Sequence, residues 1–212
     1  MGIDGLWKYV EAAAKEVSLH HLTVEQGFVL NSGGIRCLQV GIDASGWIHR
    51  AMYQHSNTKN PELATLFARC CRLLEEPISA LFFFDGPKRA SVKRGKQVRG
   101  NPHWIEHDFK KMVKAFGWGV APGEGDAELA CYSKLGVIDL IASEDSDLLV
   151  LGAKAVLRNL AEVDGDEKAK LYRAKDIMQH PSLLLSTTGL VLIALLTGGD
   201  FSITQLVATG LL

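Results

Sequence analysis

Ile78-Ser79-Ala80-Leu81-Phe82-Phe83-Phe84-Asp85-Gly86-Pro87 decides the fold. Its first part is almost continuously apolar, which suits a strand buried on both faces. It then runs straight into an aspartate and a turn. Two more stretches read the same way. Ile35 to Ile42 is a strand after the turn cluster Asn31-Ser32-Gly33-Gly34, and it ends at Asp43. Val137 to Ala142 is a buried strand that ends in Ser143-Glu144-Asp145-Ser146-Asp147. Helical periodicity separates them. Pro61 to Glu76 carries proline in its first turn and an apolar face of Leu63, Leu66, Phe67, Cys70, Leu73 and Leu74. His103 to Phe116 is closed by Gly117, and Pro122-Gly123 opens a helix running to about Leu135. Trp118 to Ala121 and Ala155 to Leu160 read as further strands. Leu6 to Val17 reads as an amphipathic helix, Ala161 to Lys170 as a charged loop, Ala174 to Gln179 as a short helix, and Thr188 to Thr197 as an apolar one. The alternation predicts an α/β domain with a largely parallel central sheet flanked by helices on both faces.

The 212 residues allow one domain of ordinary size or one and a half. Hydrophobic residues at 47% and charged residues at 22% exclude disorder over most of the length. The net charge of −1 means that any basic surface must be local. Cys37, Cys70, Cys71 and Cys131 form no C-x-x-C pair and read as reduced, mostly buried thiols. The start, Met1 to Gly5, shows no secretory signal, and Leu6 stands where myristoylation wants Ser or Thr. Gly189 to Leu196 is too short an apolar run to span a membrane and reads as a buried core helix. Neither a P-loop nor a dinucleotide fingerprint is present, so no nucleotide cofactor is expected.

The acids are placed more tellingly than they are counted. Asp43, Asp85 and the pair Asp145/Asp147 each follow an apolar strand, and sites in open parallel sheets form outside the carboxyl ends of the strands. Glu124, Asp126 and Glu128 begin a helix that follows another strand, and Asp200 lies just past a helix end. Any one of them is explained equally well as a helix cap or a solvated residue. As a set they predict a cluster of like charges that divalent cations would neutralise. All-oxygen ligands select Mg²⁺ or Mn²⁺ over zinc. Two such ions about 4 Å apart would clamp the attacking and leaving oxygens of a phosphoryl centre.

Lys88, Arg89, Lys93, Arg94, Lys96 and Arg99 form a basic segment with no acid between Asp85 and Glu106. Two readings stay open for it alone: a solvated or nuclear-import patch, or contact with phosphates. Its place directly after Asp85 favours phosphates. His103-Trp104-Ile105-Glu106-His107 matches the zinc-protease pattern H-x-x-E-H, but zinc would need a third ligand. The competing reading makes His103 and His107 part of a basic helix face with Lys110, Lys111 and Lys114.

With these residues in hand, the chain resembles the structure-specific 5′ nucleases, which include the flap endonucleases, the xeroderma pigmentosum group G (XPG) type endonucleases and the eukaryotic Holliday-junction resolvases. The matching stretches are Met1-Gly2-Ile3-Asp4-Gly5-Leu6-Trp7, Val40-Gly41-Ile42-Asp43-Ala44-Ser45, Phe82-Phe83-Phe84-Asp85-Gly86-Pro87, Pro122-Gly123-Glu124-Gly125-Asp126-Ala127-Glu128, Ser143-Glu144-Asp145-Ser146-Asp147 and Leu196-Thr197-Gly198-Gly199-Asp200. They fall in the family's order across about residues 1–200. Trp7, Lys93-Arg94-Gly95-Lys96, Val156-Leu157-Arg158-Asn159 and the short stretch between Asp85 and Glu124 look more like fungal-type junction resolvases than flap endonucleases.

The resemblance implies a PIN-like 5′ nuclease fold over 1–200, with a basic gateway segment at 86–104. It implies Mg²⁺-dependent cleavage of branched DNA, a Holliday junction or a 5′ flap, by two metal ions with Mn²⁺ as substitute. Asp43, Asp85, Glu124, Asp126, Asp145, Asp147 and Asp200 match the metal-binding acids, and Asp85 and Glu124 count among the catalytic residues. Lys93 matches a catalytic lysine over the scissile phosphate and Arg99 its arginine companion. Glu128 would be an outer-shell or helix-face residue. Gly2, Lys88, Arg89, Arg94 and Lys96 join Lys93 and Arg99 along the DNA. A nuclear location follows, as does the option of two chains acting on one junction. Two departures stand out. Gly125 and Asp126 occupy places where the family alternates Ala with Glu, and Asp126 reaches one methylene less far. Residues 201–212 lack the glycine-rich helix-hairpin-helix that the family places there. A truncated chain of weak activity, kept as a DNA-binding or regulatory remnant, is therefore the alternative expectation.

Overall fold

The middle strand of the sheet, Leu38–Asp43, lies between the other two acid-tipped strands, Ile78–Phe83 and Leu140–Ala142, and is parallel to both. This comes from a computed structural model that describes residues 2–31, 35–53, 59–85, 92–93, 96–97, 104–121, 125–163 and 166–197. In chain order the strands are β1 (Lys15–Ser18), β2 (Leu38–Asp43), β3 (Ile78–Phe83), β4 (Val92–Lys93), β5 (Lys96–Gln97), β6 (Gly119–Val120), β7 (Leu140–Ala142), β8 (Ala155–Val163) and β9 (Asp166–Arg173). The α-helices are α1 (Leu6–Val10), α2 (Leu19–Leu22), α3 (Ala44–Ala51), α4 (Pro61–Leu74), α5 (Trp104–Ala115), α6 (Gly125–Leu135), α7 (Asp147–Val150), α8 (Ala174–Gln179) and α9 (Thr187–Thr197), and a π-helical stretch, Thr23–Val29, follows α2. Among the described residues the main sheet has the order β1-β9-β8-β7-β2-β3-β6. From β8 to β6 the pairings are parallel, and β9 and β1 add an antiparallel flank.

Alternation along the strands separates two cores, one on each face of the sheet. Leu38, Val40 and Ile42 join Phe82, Trp47 of α3, Leu66 and Cys70 of α4, and Phe109 of α5. On the opposite face Phe83, Ile141 and Val156 pack with Leu6 of α1, Leu129 of α6, Leu148 of α7 and Val191 of α9. Gly41 lets α6 approach: a Cβ there would lie 2.8 Å from Leu129. The predicted class, a largely parallel sheet covered on both faces, is the one observed.

Local readings differ in four places. Leu6–Val17 is not one helix. After α1 and a 3₁₀ turn over Glu11–Ala13, Ala14 turns extended, and Lys15–Ser18 pairs with β9. Edge pairing outweighs the helical preference of the alanines. The expected charged loop at Ala161–Lys170 lies instead in the β8–β9 hairpin, where buried Ala169 and Leu171 alternate with Lys168 and Lys170. Their period of two was hidden under the high charge. Helix α9 is not wholly buried: Leu190, Val191 and Ala194 pack inward, while Leu192 and Leu196 are exposed. The thiols are not mostly buried, for only Cys70 is, and Cys131 is exposed. Among the described residues no helix is long and apolar enough to cross a membrane.

Candidate active site at the carboxyl edge of the sheet

Parallel pairing of β7, β2 and β3 brings their carboxyl ends to one edge. Ile42 stands opposite Ala142, and Asp43 opposite Phe83. Ser143, one residue on from Ala142, therefore meets Asp43, and its hydroxyl donates to Asp43 Oδ2 at 3.0 Å. The same hydroxyl accepts the Asp145 N–H at 3.1 Å. Asp145 Oδ1 in turn accepts the Asp147 N–H at 3.0 Å, which starts α7. On the other side Ser45 donates to Asp85 Oδ2 at 3.0 Å. Asp43 also caps α3 by accepting the Gly46 N–H at 3.2 Å.

These carboxylates are close enough to oppose each other. Asp43, Asp145 and Asp147 are 7%, 5% and 2% exposed. Burial raises the Asp43 pKa above its ordinary value, and the charges of Asp85 and Asp145 push it the same way. The Gly46 N–H and the Ser143 hydroxyl act in the opposite sense without cancelling it. A donor set made of carboxylate oxygens, buried and mutually repelling, suits a hard dication. Among the described residues no three His, Cys, Asp or Glu side chains stand close enough to form a ready metal cage. Asp126 lies in the first turn of α6. Glu124 and Asp200 lie outside the described residues, as do Lys88, Arg89, Arg94 and Arg99. Lys93 and Lys96 pair across the short β4–β5 ladder, and nothing further is described of them.

Glycine lines the walls of this edge. A Cβ at Gly125 would come 2.9 Å from Asp85 Oδ1, and one at Gly46 3.1 Å from Asp43 Oδ2. Gly2 is buried, with φ +85°, and a Cβ there would overlap Asp145 Oδ1 and Ser146 Oγ. Its backbone is thus packed directly against the aspartate loop.

Sequence reasoning missed the cations beside the acids. A cleft between α3 and the ends of β7 and β8 is lined by Asp43, Trp47, Arg50, Arg69, Ser143 and Glu144. The Arg69 guanidinium lies over the Trp47 ring, 4.0 Å from its centroid. Burial and the neighbouring Arg50 bring its pKa down to about 10. Arg50 sits one to two turns beyond Asp43 on the same helix. That spacing was visible, but the register placing both beside Glu144 was not.

The expected basic face of α5 is largely neutralised by its own helix. Lys110 pairs with Glu106 at 2.6 Å, and Lys111 with Asp108 at 3.7 Å. The same pairing removes support for a zinc site, because Glu106 is engaged by Lys110 and His107 is exposed. His103 lies outside the described residues.

The architecture defines a class: α/β proteins that gather acids beyond the carboxyl ends of adjacent parallel strands. Residues 1–101 match the XPG N-terminal domain and residues 115–200 the XPG I-region. The chain belongs to the XPG-type family of structure-specific 5′ nucleases. Flap endonuclease GEN homolog 1 of Mus musculus is 24% identical over 224 residues, which cover 95% of this chain and 23% of that protein. Flap endonuclease 1 of Methanothermobacter thermautotrophicus is 26% identical over 173 residues, covering 66% of this chain and 52% of that protein. The Holliday junction-resolving enzyme GEN1, solved with product DNA and Mg²⁺, is 31% identical with a TM-score of 0.74, over 95% of this chain and 47% of that one. The catalytic core of Rad2 with DNA substrate, 24% identical with a TM-score of 0.72, shares the fold. The chain thus spans about a quarter of the mouse GEN homologue and about half of the Methanothermobacter flap endonuclease 1 and the GEN1 structure.

Proposed function

We propose that this chain is the nuclease domain of a structure-specific DNA endonuclease that cuts branched DNA, a Holliday junction or a 5′ flap, with Mg²⁺ as cofactor. The observation that carries the reading is Asp43: a buried carboxylate whose pKa is raised by burial, with Asp85 and Asp145 as negative neighbours. Such an arrangement is costly in a bare protein and serves one that takes up dications. Asp43, Asp85, Asp145 and Asp147 would hold the ions, joined by Glu124, Asp126 and Asp200. Bound there, the ions would supply a nucleophile at neutral pH and stabilise the departing 3′ oxygen.

The protein's own groups do the rest. The Ser143 and Ser45 hydroxyls hold one oxygen each of Asp43 and Asp85, so the other oxygens have defined directions. The cleft beside them carries Arg50 and Arg69, cations suited to a phosphate backbone. Lys93 and Arg99 would offset charge on the scissile phosphate. Nuclear residence fits a role in DNA repair and recombination, and two chains would act on a symmetric junction.

The test is cleavage of a labelled four-way junction and a labelled 5′ flap by the purified chain, with Mg²⁺ or with EDTA. Cutting near the branch point only with Mg²⁺ is expected. Absence of cutting, with Mg²⁺ or Mn²⁺, would replace the reading by that of a DNA-binding or regulatory remnant.

A further inference from the structure

Glu144 stands between Ser143 and Asp145, inside the acid loop, yet its carboxylate belongs to another network. It receives Arg50 Nη2 from α3, Arg158 Nε from β8 at 3.0 Å, and the Asn159 N–H at 2.8 Å. The Glu144 carbonyl accepts the Trp7 indole N–H at 2.9 Å. One residue of the loop is therefore gripped by four donors from three other parts of the chain. Two of these donors also support each other, for the Arg158 guanidinium lies 4.8 Å from the Trp7 ring centroid.

A second observation points the same way. Asn159 is in the left-handed region, φ 55°, where the β8–β9 register shifts between Arg158 and Ala161. That conformation is uncommon outside glycine, though asparagine adopts it at least cost. It occurs at the residue whose N–H reaches Glu144. The strand departs from its ladder at the point where this bond is made.

Asp43 and Asp145 are buried neighbours whose charges oppose each other, and that repulsion acts to separate the loop from β2. Ser143 ties the loop to Asp43 on the acid side. Glu144 ties it to two guanidiniums on the other. Arg50 belongs to the helix that Asp43 caps, so the pair joins both ends of α3 to one loop. Charge-assisted bonds of this kind are the strong ones.

We infer that Glu144 is a positioning residue: clamped by Arg50, Arg158 and Asn159, it sets the separation of Asp145 and Asp147 from Asp43 before any ion arrives. The inference rests on the proposed metal site and assigns Glu144 no contact with the ion itself.

The test uses the 212-residue chain, with Glu144→Ala, Glu144→Gln and Asp145→Asn. Two readouts are needed: amide hydrogen exchange over 143–147 in EDTA, and Mn²⁺ affinity by electron paramagnetic resonance. Glu144→Ala is expected to speed metal-free exchange of the Asp145 and Asp147 amides and to weaken Mn²⁺ about tenfold, the range seen when an outer-shell partner is lost. Glu144→Gln keeps one acceptor oxygen and should fall between. Asp145→Asn should weaken Mn²⁺ more than either. Unchanged Mn²⁺ affinity in Glu144→Ala, with Asp145→Asn impaired, overturns the inference and leaves the proposed function standing. Weakened Mn²⁺ with unchanged exchange overturns it too, because Glu144 would then act as a ligand. A parent chain that binds no Mn²⁺ removes the proposed metal site and the inference together.

Discussion

The parallel centre and the antiparallel flank of the sheet treat charge in opposite ways. At the carboxyl edge of β7, β2 and β3, acids face acids, and Asp43 is held at a raised pKa. Around β9 and β1, several acids are paired with bases. Glu11 accepts from Lys170 and from Tyr172 Oη, the latter at 2.8 Å. Asp176 pairs with Lys15 at 2.7 Å, and Glu167 with Arg72 at 3.3 Å. Compensated charge holds a surface together, whereas buried acids that raise each other's pKa suit a dication. Glu144 is the joint between the two regimes, in sequence among the acids and in space among the arginines.

The comparison breaks most sharply at the acids. Asp85→Ala and Asp145→Ala should each lower junction or flap cleavage by a factor on the order of 10²–10³ or more, the scale for losing a group that stabilises transition-state charge. Circular dichroism should show the fold retained. Turnover equal to the parent in both variants would remove these residues from the site.

Gly2→Ala comes next. It adds a side chain at φ +85° and overlaps Asp145 Oδ1 and Ser146 Oγ. A loss of roughly 1–3 kcal/mol is expected by urea unfolding, together with weaker Mn²⁺ binding. Neutral substitution would mean that the first residues do not pack on the aspartate loop.

Asp43→Asn should act on stability with the opposite sign. In EDTA the variant is expected to melt higher, because burial and the charges of Asp85 and Asp145 oppose the ionised Asp43 carboxyl. Added Mg²⁺ should then favour the parent. A lower melting point in EDTA would show that capping of α3, not repulsion, dominates at this position.

On the flank the effect is smallest. The hydrogen bonds from Lys170 and Tyr172 hold the Glu11 carboxyl below its ordinary 4.5. Its contribution is present above that value and is lost as pH falls through the lower, folded one. Glu11→Gln should therefore cost at most about 1 kcal/mol near neutrality, as for an exposed pair. The difference from the parent should shrink in acid. A difference that grew as pH fell would contradict the pairing.

How much of this was legible in the primary structure differs by element. Continuous apolar runs such as Ile78–Phe83 declare themselves as central strands, and an acid after each run marks the edge. Lys15–Ser18 and Asp166–Arg173 did not, because a strand rich in lysine and glutamate looks like a helix face or a loop until its partner is known. The aspartates were legible as a set. Arg50, Arg69 and Arg158 were not legible as their neighbours, since each is an ordinary surface-type residue on its own element.

By itself the sequence determined the class of sheet and the family, and set an acid after each central strand, because these depend on local pattern and on order along the chain. Only the tertiary structure decided which acids share a field and which are matched by cations. Those relations depend on strand register and on distances of a few ångströms between residues far apart in the chain, such as Trp7, Arg50, Glu144 and Arg158.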